Sequence, residues 1–390
     1  MSARMRLIVI AGLALLMLLA AQSCSRGPIK LLLAAPFTGD QAKGGQDLWN
    51  GAELAVEDWN AKGGVNGRKV VLIKADDKGD SDTALALAQE WSGKVQAVIG
   101  HYNSDCTEAA EEVYGKDHVL MITPASTKPD ITDRGYLTVL RVCGTNDQQG
   151  ASAAKYVAEH FPGAKVAVLH DKSSYGQDIT SEFLKNYEFL TKTQAVFYGS
   201  IDRSQATFSE AINKIKATEP TLVYFGGVWP QGAQFLKEMR QAGMTSTFFA
   251  GDGCYDQTFL KEAGPVAEGA LLTFIPDQEK LPAAKPVVDA YKKKYGDLGP
   301  YSLYAYAAVQ VALEGIAKSG STDGREVART LLKIEVDTPL GIMKFDAKGD
   351  PQQSPYVVWK VENGKFVEVP MAAPPAPPPA PTDAPAAPAA

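Results

Sequence analysis

Four cysteines, Cys24, Cys106, Cys143 and Cys254, are spread along the chain with no Cys-x-x-Cys pair, so the usual spacings for structural zinc and dithiol redox work are absent. Asp76, Asp77, Asp80 and Asp82 crowd one stretch. Their order does not follow a calcium loop, and a solvated loop ending in a helix cap accounts for them. His101 and His170 each close an apolar run and invite a proton-transfer reading, but most histidines at such places pack or hydrogen-bond, and that structural role is expected. The serine-nucleophile elbow, the phosphate loop, a dinucleotide fingerprint after the first strand and the His-Glu-x-x-His zinc helix are all missing. What remains is a set of hydroxyls and carboxylates just after apolar runs: Ser104, Thr127, Ser173-Ser174-Tyr175 and Asp252. Such groups, set beside helix N-termini, suit the non-covalent capture of a small polar ligand. Taken alone, Ser104 and Thr127 fit helix caps and turns equally well.

The elements that must position these groups alternate. Ile29 to Pro36 is a continuous apolar run, followed from Gly45 to Lys62 by Leu48, Ala52, Ala55, Val56 and Trp59 at helical spacing. Gly63-Gly64 stops that helix, Asn66-Gly67 turns the chain, and Lys69 to Lys74 begins a second strand. Further short apolar runs at 96–100, 120–123, 165–170, 195–198, 222–226 and 247–251 are separated by helical stretches such as Glu182 to Leu190 and Phe208 to Ala217. This alternation predicts an α/β fold of parallel sheets covered on both faces. One sheet of more than ten strands would be unusual, so the chain is divided into two doubly wound lobes near Cys143 to Gln149. Ser302 to Ser319 is apolar nearly all round and predicts a helix buried between layers, and 341–345 and 356–361 are read as late strands.

Composition agrees with a soluble binding domain. The 390 residues are 45% hydrophobic and 22% charged, which fits neither a disordered polymer nor a multi-span membrane protein. A net charge of −6 without a long basic run argues against nucleic acid as a partner. Arg4 and Arg6 precede fifteen residues, Leu7 to Ala21, that are apolar apart from Gly12, which is the length of an export signal. Ala20-Ala21-Gln22-Ser23-Cys24 resembles the bacterial lipoprotein processing box, so residues 1–23 are expected to be removed and Cys24 to carry a lipid anchor. At the other end, 8 of the 20 residues from Met371 to Ala390 are proline and 9 are alanine, which predicts an unfolded, polyproline-prone tail over 371–390.

The strand ends become specific when taken together. Leu120-Met-Ile-Thr-Pro-Ala-Ser-Thr127, Arg134-Gly-Tyr136, Leu140-Arg141 and Asp147-Gln-Gln-Gly150 are similar to the leucine/isoleucine/valine-binding proteins, the periplasmic solute receptors of ABC transporters. Val98-Ile-Gly-His101, Ala153-Ala-Lys-Tyr156, His170-Asp-Lys-Ser-Ser-Tyr-Gly176, Val223-Tyr-Phe-Gly-Gly227, Gly251-Asp-Gly253 and Lys348-Gly-Asp350 continue the resemblance in order from about Ile29 to Val361. It implies a type I periplasmic binding protein, with two doubly wound parallel-sheet lobes joined by a three-crossover hinge. Lobe 1 would hold 29–145 and 275–352, and lobe 2 would hold 146–274 and 353–370.

The resemblance also implies a ligand set. Ser104 matches the carboxylate-binding serine, Ala125 the residue whose main chain meets the ligand, and Thr127 the hydroxyl between carboxylate and ammonium. Asp252 falls at the acidic residue that binds the ammonium, Tyr175 at the aromatic that covers the ligand, and Tyr102 at an apolar wall. Two family tyrosines correspond to Gly44 and Val228, which predicts a larger pocket, either filled by Trp229, Phe37 or Trp49 or taking a ligand bulkier than valine, such as phenylalanine. The two cysteine positions of the family's lobe 1 disulfide are Gly79 and Asn103 here, and whether Cys106, Cys143 or Cys254 pair is left open.

The expected function is that of a monomeric lipoprotein, anchored at the periplasmic face of a membrane, that captures a branched-chain or other apolar amino acid without cofactor or metal and delivers it to an ABC permease. A receptor for an aromatic amino acid, an aliphatic amide or urea, or a sensory ligand-binding protein, is the alternative. An α/β enzyme ranks last.

Overall fold

The computed structural model describes residues 27–352 and 355–370. The expected export signal, Cys24 and the Pro/Ala tail lie outside the described residues. Fourteen strands among the described residues form two main sheets and a small hairpin. In lobe 1, β1 (Ile29–Ala35), β2 (Val70–Asp76), β3 (Ala97–Gly100), β4 (Leu120–Thr123) and β5 (Val139–Arg141) are all parallel, in the order β2-β1-β3-β4-β5. In lobe 2 the order is β14-β13-β10-β9-β8-β6-β7. There β6 (Val166–His170), β7 (Phe197–Ser200), β8 (Leu222–Gly226), β9 (Thr247–Ala250) and β10 (Leu271–Phe274) run parallel. The last two strands, β13 (Val357–Glu362) and β14 (Lys365–Glu368), complete that sheet antiparallel. A separate hairpin, β11 (Val336–Thr338) and β12 (Gly341–Met343), belongs to neither.

The apolar runs are continuous because both faces of each sheet are buried. Leu31, Leu33 and Ala35 face one core, shared with α1 (Ala42–Ala61), while Leu32 and Ala34 face another, shared with α2 (Ser81–Trp91) and α3 (Ser104–Lys116). In lobe 2, Ala167, Leu169, Val223 and Phe225 face one layer, and Val166, Val168, Leu222 and Tyr224 the other. A single turn, α4 (Asp130–Asp133), lies before β5. The lobe 2 layers are built by α5 (Asn146–His160), α6 (Ser174–Thr191), α7 (Ser209–Lys216), α8 (Trp229–Gln241) and α9 (Gln257–Ala263). The chain then returns to lobe 1 for α10 (Lys285–Tyr295), α11 (Ser302–Ser319) and α12 (Gly324–Leu331).

The stretch expected as a buried helix is α11. It lies along α1, and Gly51 makes their close approach possible, since a Cβ there would sit 1.9 Å from the Ser302 carbonyl oxygen. The chain passes between lobes three times, between Arg141 and Asn146, after Phe274, and between Met343 and Val357. Both main sheets point the carboxyl ends of their parallel strands at the cleft residues described below.

The acidic stretch has three separate duties. Asp76 accepts from Phe37 N at 2.8 Å and from the Thr38 hydroxyl at 2.6 Å, and Asp80 caps α2 through Thr83 N at 2.8 Å. Asp77 is not solvated: it is fully buried and pairs with His101 Nδ1 at 2.7 Å. Cys106, Cys143 and Cys254 are free and buried. At the family's disulfide position Gly79 faces Asn103, whose amide donates to Gln41 Oε1 at 2.9 Å, so a polar contact occupies the place of a bridge. Among the described residues no group of acidic, histidine or cysteine side chains could hold a metal, and no helix is long and apolar enough to cross a membrane.

Candidate functional site

On the lobe 1 side, β3 runs into Tyr102-Asn103-Ser104, and Ser104 is the first residue of α3. The first N–H groups of that helix have no partner within it, so they face the cleft with a positive field. Ser104 is 3% exposed, and its hydroxyl has no hydrogen-bond partner among the described residues. The loop after β4 is held from beneath. Thr123 Oγ1 donates to the His101 carbonyl at 2.9 Å and accepts from Ser126 N at 3.0 Å, and Ser126 Oγ exchanges a bond with the Thr107 hydroxyl at 2.6 Å.

Arg141 finishes the support. Fully buried, it donates to the carbonyls of Ser126, Lys128 and Pro129, to the Thr132 hydroxyl, and to Asp350 Oδ1. Ala125 and Thr127 are thereby fixed. The Thr127 carbonyl accepts from Asn146 N at 2.8 Å, and its buried hydroxyl has no protein partner.

On the lobe 2 side, the loops after β6, β8 and β9 and the first turn of α6 supply Ser173, Tyr175, Val228, Asp252 and Gly253. Asp252 is 4% exposed. Tyr175 donates its hydroxyl to Asp252 Oδ1 at 2.7 Å, and Gly253 N donates to the same hydroxyl oxygen at 3.0 Å. From lobe 1, Tyr301 at the start of α11 donates to the other carboxylate oxygen of Asp252. Burial pushes the Asp252 carboxyl above its ordinary range, while the hydrogen bonds from Tyr301 and Tyr175 pull it back. Burial raises both phenols far more, so they stay protonated and act as donors. The arrangement is a buried carboxylate, hydrogen-bonded but without a neighbouring cation in contact, in the cleft between two lobes. A cationic group on a ligand would complete it.

A small chamber of ≈30 Å3 lies among these groups. Of the residues singled out from sequence, Tyr102, Ser104, Ala125, Tyr175 and Asp252 line it. Thr127 sits just behind Ala125 rather than in the wall. Trp229 is turned onto the lobe 2 core, and Val228 takes the wall position instead. Ser173, from the hydroxyl run after β6, also lines it, while Tyr301, Asp105 and Arg203 line the chamber without having been read from sequence. Arg203 lies in the loop after β7, where the rule that ligands lie off strand ends also points.

The expected larger pocket is also revised. Phe37 and Trp49 stack edge-on against each other, 6.3 Å apart, beneath the Lys74 ammonium, and neither lines the chamber. The space beside Gly44 is taken by Tyr102, whose Cζ would lie 3.1 Å from a Cβ at position 44. Tyr102 in turn meets Tyr301 edge-to-face at 5.8 Å. One ring has replaced another from a different element. Tyr102→Ala is accordingly expected to open the chamber and to raise affinity for L-phenylalanine relative to L-leucine by about tenfold or more, read by calorimetry. An unchanged ratio would show that this ring does not bound the side-chain pocket.

The lobes also meet at the chamber's edge and beyond it. Ser174, which begins α6 in lobe 2, donates its N–H to Asp105 Oδ1 at 2.6 Å and its hydroxyl to Glu108, both on α3 of lobe 1. Glu108 is itself held by Lys128 at 2.7 Å and Arg134 at 3.1 Å.

Comparison with known proteins gives a consistent picture. A family model described as periplasmic binding protein matches residues 28–365. The chain is 37% identical over 364 residues to a Leu/Ile/Val-binding protein homolog 2 of Brucella abortus, covering 91% of this chain and 97% of that one. It is 37% identical over 343 residues to a leucine-, isoleucine-, valine-, threonine- and alanine-binding protein of Pseudomonas aeruginosa, covering 87% and 92%. The crystal structure of a leucine binding protein, LivK, from Thermotoga maritima superposes with a TM-score of 0.82 at 28% identity, over 88% of this chain and 98% of that one.

Proposed function

Since the chain belongs to the periplasmic binding protein family, a family of solute receptors rather than enzymes, we propose that it captures a branched-chain or other apolar amino acid between its lobes and delivers it to an ABC permease. The observation that carries this reading is Asp252, a buried carboxylate bonded by Tyr175 from its own lobe and Tyr301 from the other. A ligand ammonium at Asp252 would be gripped only when the lobes are together. Its carboxylate would lie toward Ser104, Ala125 and Thr127 and the N-terminus of α3. A ligand favours closure only through contacts that exist in the closed state, and this division of contacts provides them. In the same proposal the receptor is a monomer held at the periplasmic face by a lipid on Cys24, with the lobe limits given above.

A thermal-shift screen of the mature folded part tests it, using the amino acids, small amides, urea and short acids. Binding to the folded state raises the melting temperature by mass action, by an amount that grows with ligand concentration over Kd. Leucine, isoleucine or valine should produce the largest shifts. Shifts confined to amides or urea would overturn the ammonium role of Asp252 while leaving a transport receptor in place.

A further inference from the structure

Arg203 stands in the loop after β7 and lines the chamber together with Ser104, Ser173 and Asp252. Its Nε donates to Asp171 Oδ2 at 2.8 Å. Asp171 is fully buried and tightly enclosed: a Cβ on Gly176 would come within 2.3 Å of its Oδ1, and one on Gly227 within 2.9 Å of its Cγ. It also accepts Ser173 N at 3.0 Å. The carboxylate therefore has a fixed place and fixes the guanidinium in turn. Among the described residues no hydrogen bond or ion pair engages the two terminal nitrogens of Arg203, which keep N–H donors for a carboxylate.

Asp252 lines the same chamber and forms no ion pair with Arg203; it is held by Tyr175 and Tyr301. Arg203 and Asp252 thus face one chamber, together with Asp105, without pairing with each other; Arg203 is anchored by Asp171 through Nε and Asp252 by the two phenols, so each can present a charged face to a ligand that carries both a carboxylate and an ammonium. From this we propose that Arg203 receives the ligand's α-carboxylate from the lobe 2 side, opposite Ser104 and the α3 N-terminus of lobe 1. The carboxylate then joins the lobes just as the ammonium does at Asp252 and Tyr301. The inference deepens the amino-acid reading and rests on it. Asp105, the nearest acidic wall residue on α3, is already engaged by Ser174 N, and the charge of Arg203 acts on it across the gap between lobes. The guanidinium field therefore reaches the lobe 1 wall.

The competing role for Arg203 is simply to neutralise Asp171, and the test separates the two by the acid-over-amide preference. Calorimetry would compare L-leucine with L-leucinamide on the native protein, Arg203→Met and Arg203→Lys, with the ligand-free melting temperature of each as the folding control. The preference for leucine over its amide should fall at least tenfold in Arg203→Met and recover in part in Arg203→Lys. A preference unchanged in Arg203→Met overturns the proposal, and so does a native protein that does not prefer the acid. Should the native protein bind no amino acid, the amino-acid reading fails by itself, and the same ratio is read on isovalerate and isovaleramide. A native protein that binds none of the four ligands overturns both.

Discussion

Replacing Asp252 with asparagine is expected to weaken L-leucine binding by about one to two orders of magnitude. A hydrogen bond to a charged group contributes about 1.5–3 kcal/mol, and each 1.4 kcal/mol is about tenfold in affinity. Asparagine keeps the shape and can still meet Tyr175 and Tyr301, so the loss isolates the charge. Isothermal calorimetry at neutral pH reads it, and native affinity in the variant would remove the ammonium from this position. A pH dependence of definite sign accompanies the same contact. Burial holds the Asp252 carboxyl above the ordinary range in the free receptor, and a bound ammonium favours the ionised form. Binding therefore releases a proton whenever the free receptor is protonated there. Affinity should be level above that raised pKa and fall by up to about tenfold per pH unit below it. The asparagine variant should lack this decline.

Arg141→Met should be the most damaging single change to stability. The side chain is fully buried and donates to three carbonyls, the Thr132 hydroxyl and Asp350. Methionine fills similar volume but leaves Asp350 without its cation and the carbonyls of Ser126, Lys128 and Pro129 without their donor. Breaking a buried pair by removing one partner costs about 3–5 kcal/mol. Asp350 is partly exposed, which places the expectation toward the lower figure. Denaturant unfolding would show the loss. Leucine affinity should fall as well, because Arg141 fixes the loop that carries Ala125 and Thr127. A change within about 0.5 kcal/mol would assign the support of that loop elsewhere.

The lobes and most strands were legible because their apolar runs are set by burial on two faces, which any short buried strand needs. The reading of Ser302 to Ser319 as a buried helix holds to the residue, since an apolar surface all round has no other stable place in a layered fold. β5, β10, β11 and β14 escaped, each three or four residues long. Runs that short carry little periodicity of their own, and β3, β4, β7 and β9, of four residues each, were legible only through their place between helical stretches. Most of the wall came from strand ends joined with a family likeness. Tyr301 did not, because it comes to Asp252 from 49 residues away in the other lobe. The exchange at Gly44 shows the same limit from another side. A missing tyrosine is visible in sequence, whereas the ring that moves into its space is visible only when α1 and the loop after β3 are packed together.

The seam between Ser174 and Glu108 separates two properties that a receptor must set. Both residues lie outside the chamber wall, and they touch only across the gap between lobes. Ser174 also holds Asp105 of the wall, so it is a change at Glu108 that is expected to alter how readily the lobes stay together while leaving the chamber wall in place. Residence time and choice of ligand would then be set by different residues of the same two helices, Glu108 for the one and Asp105 and Tyr175 for the other.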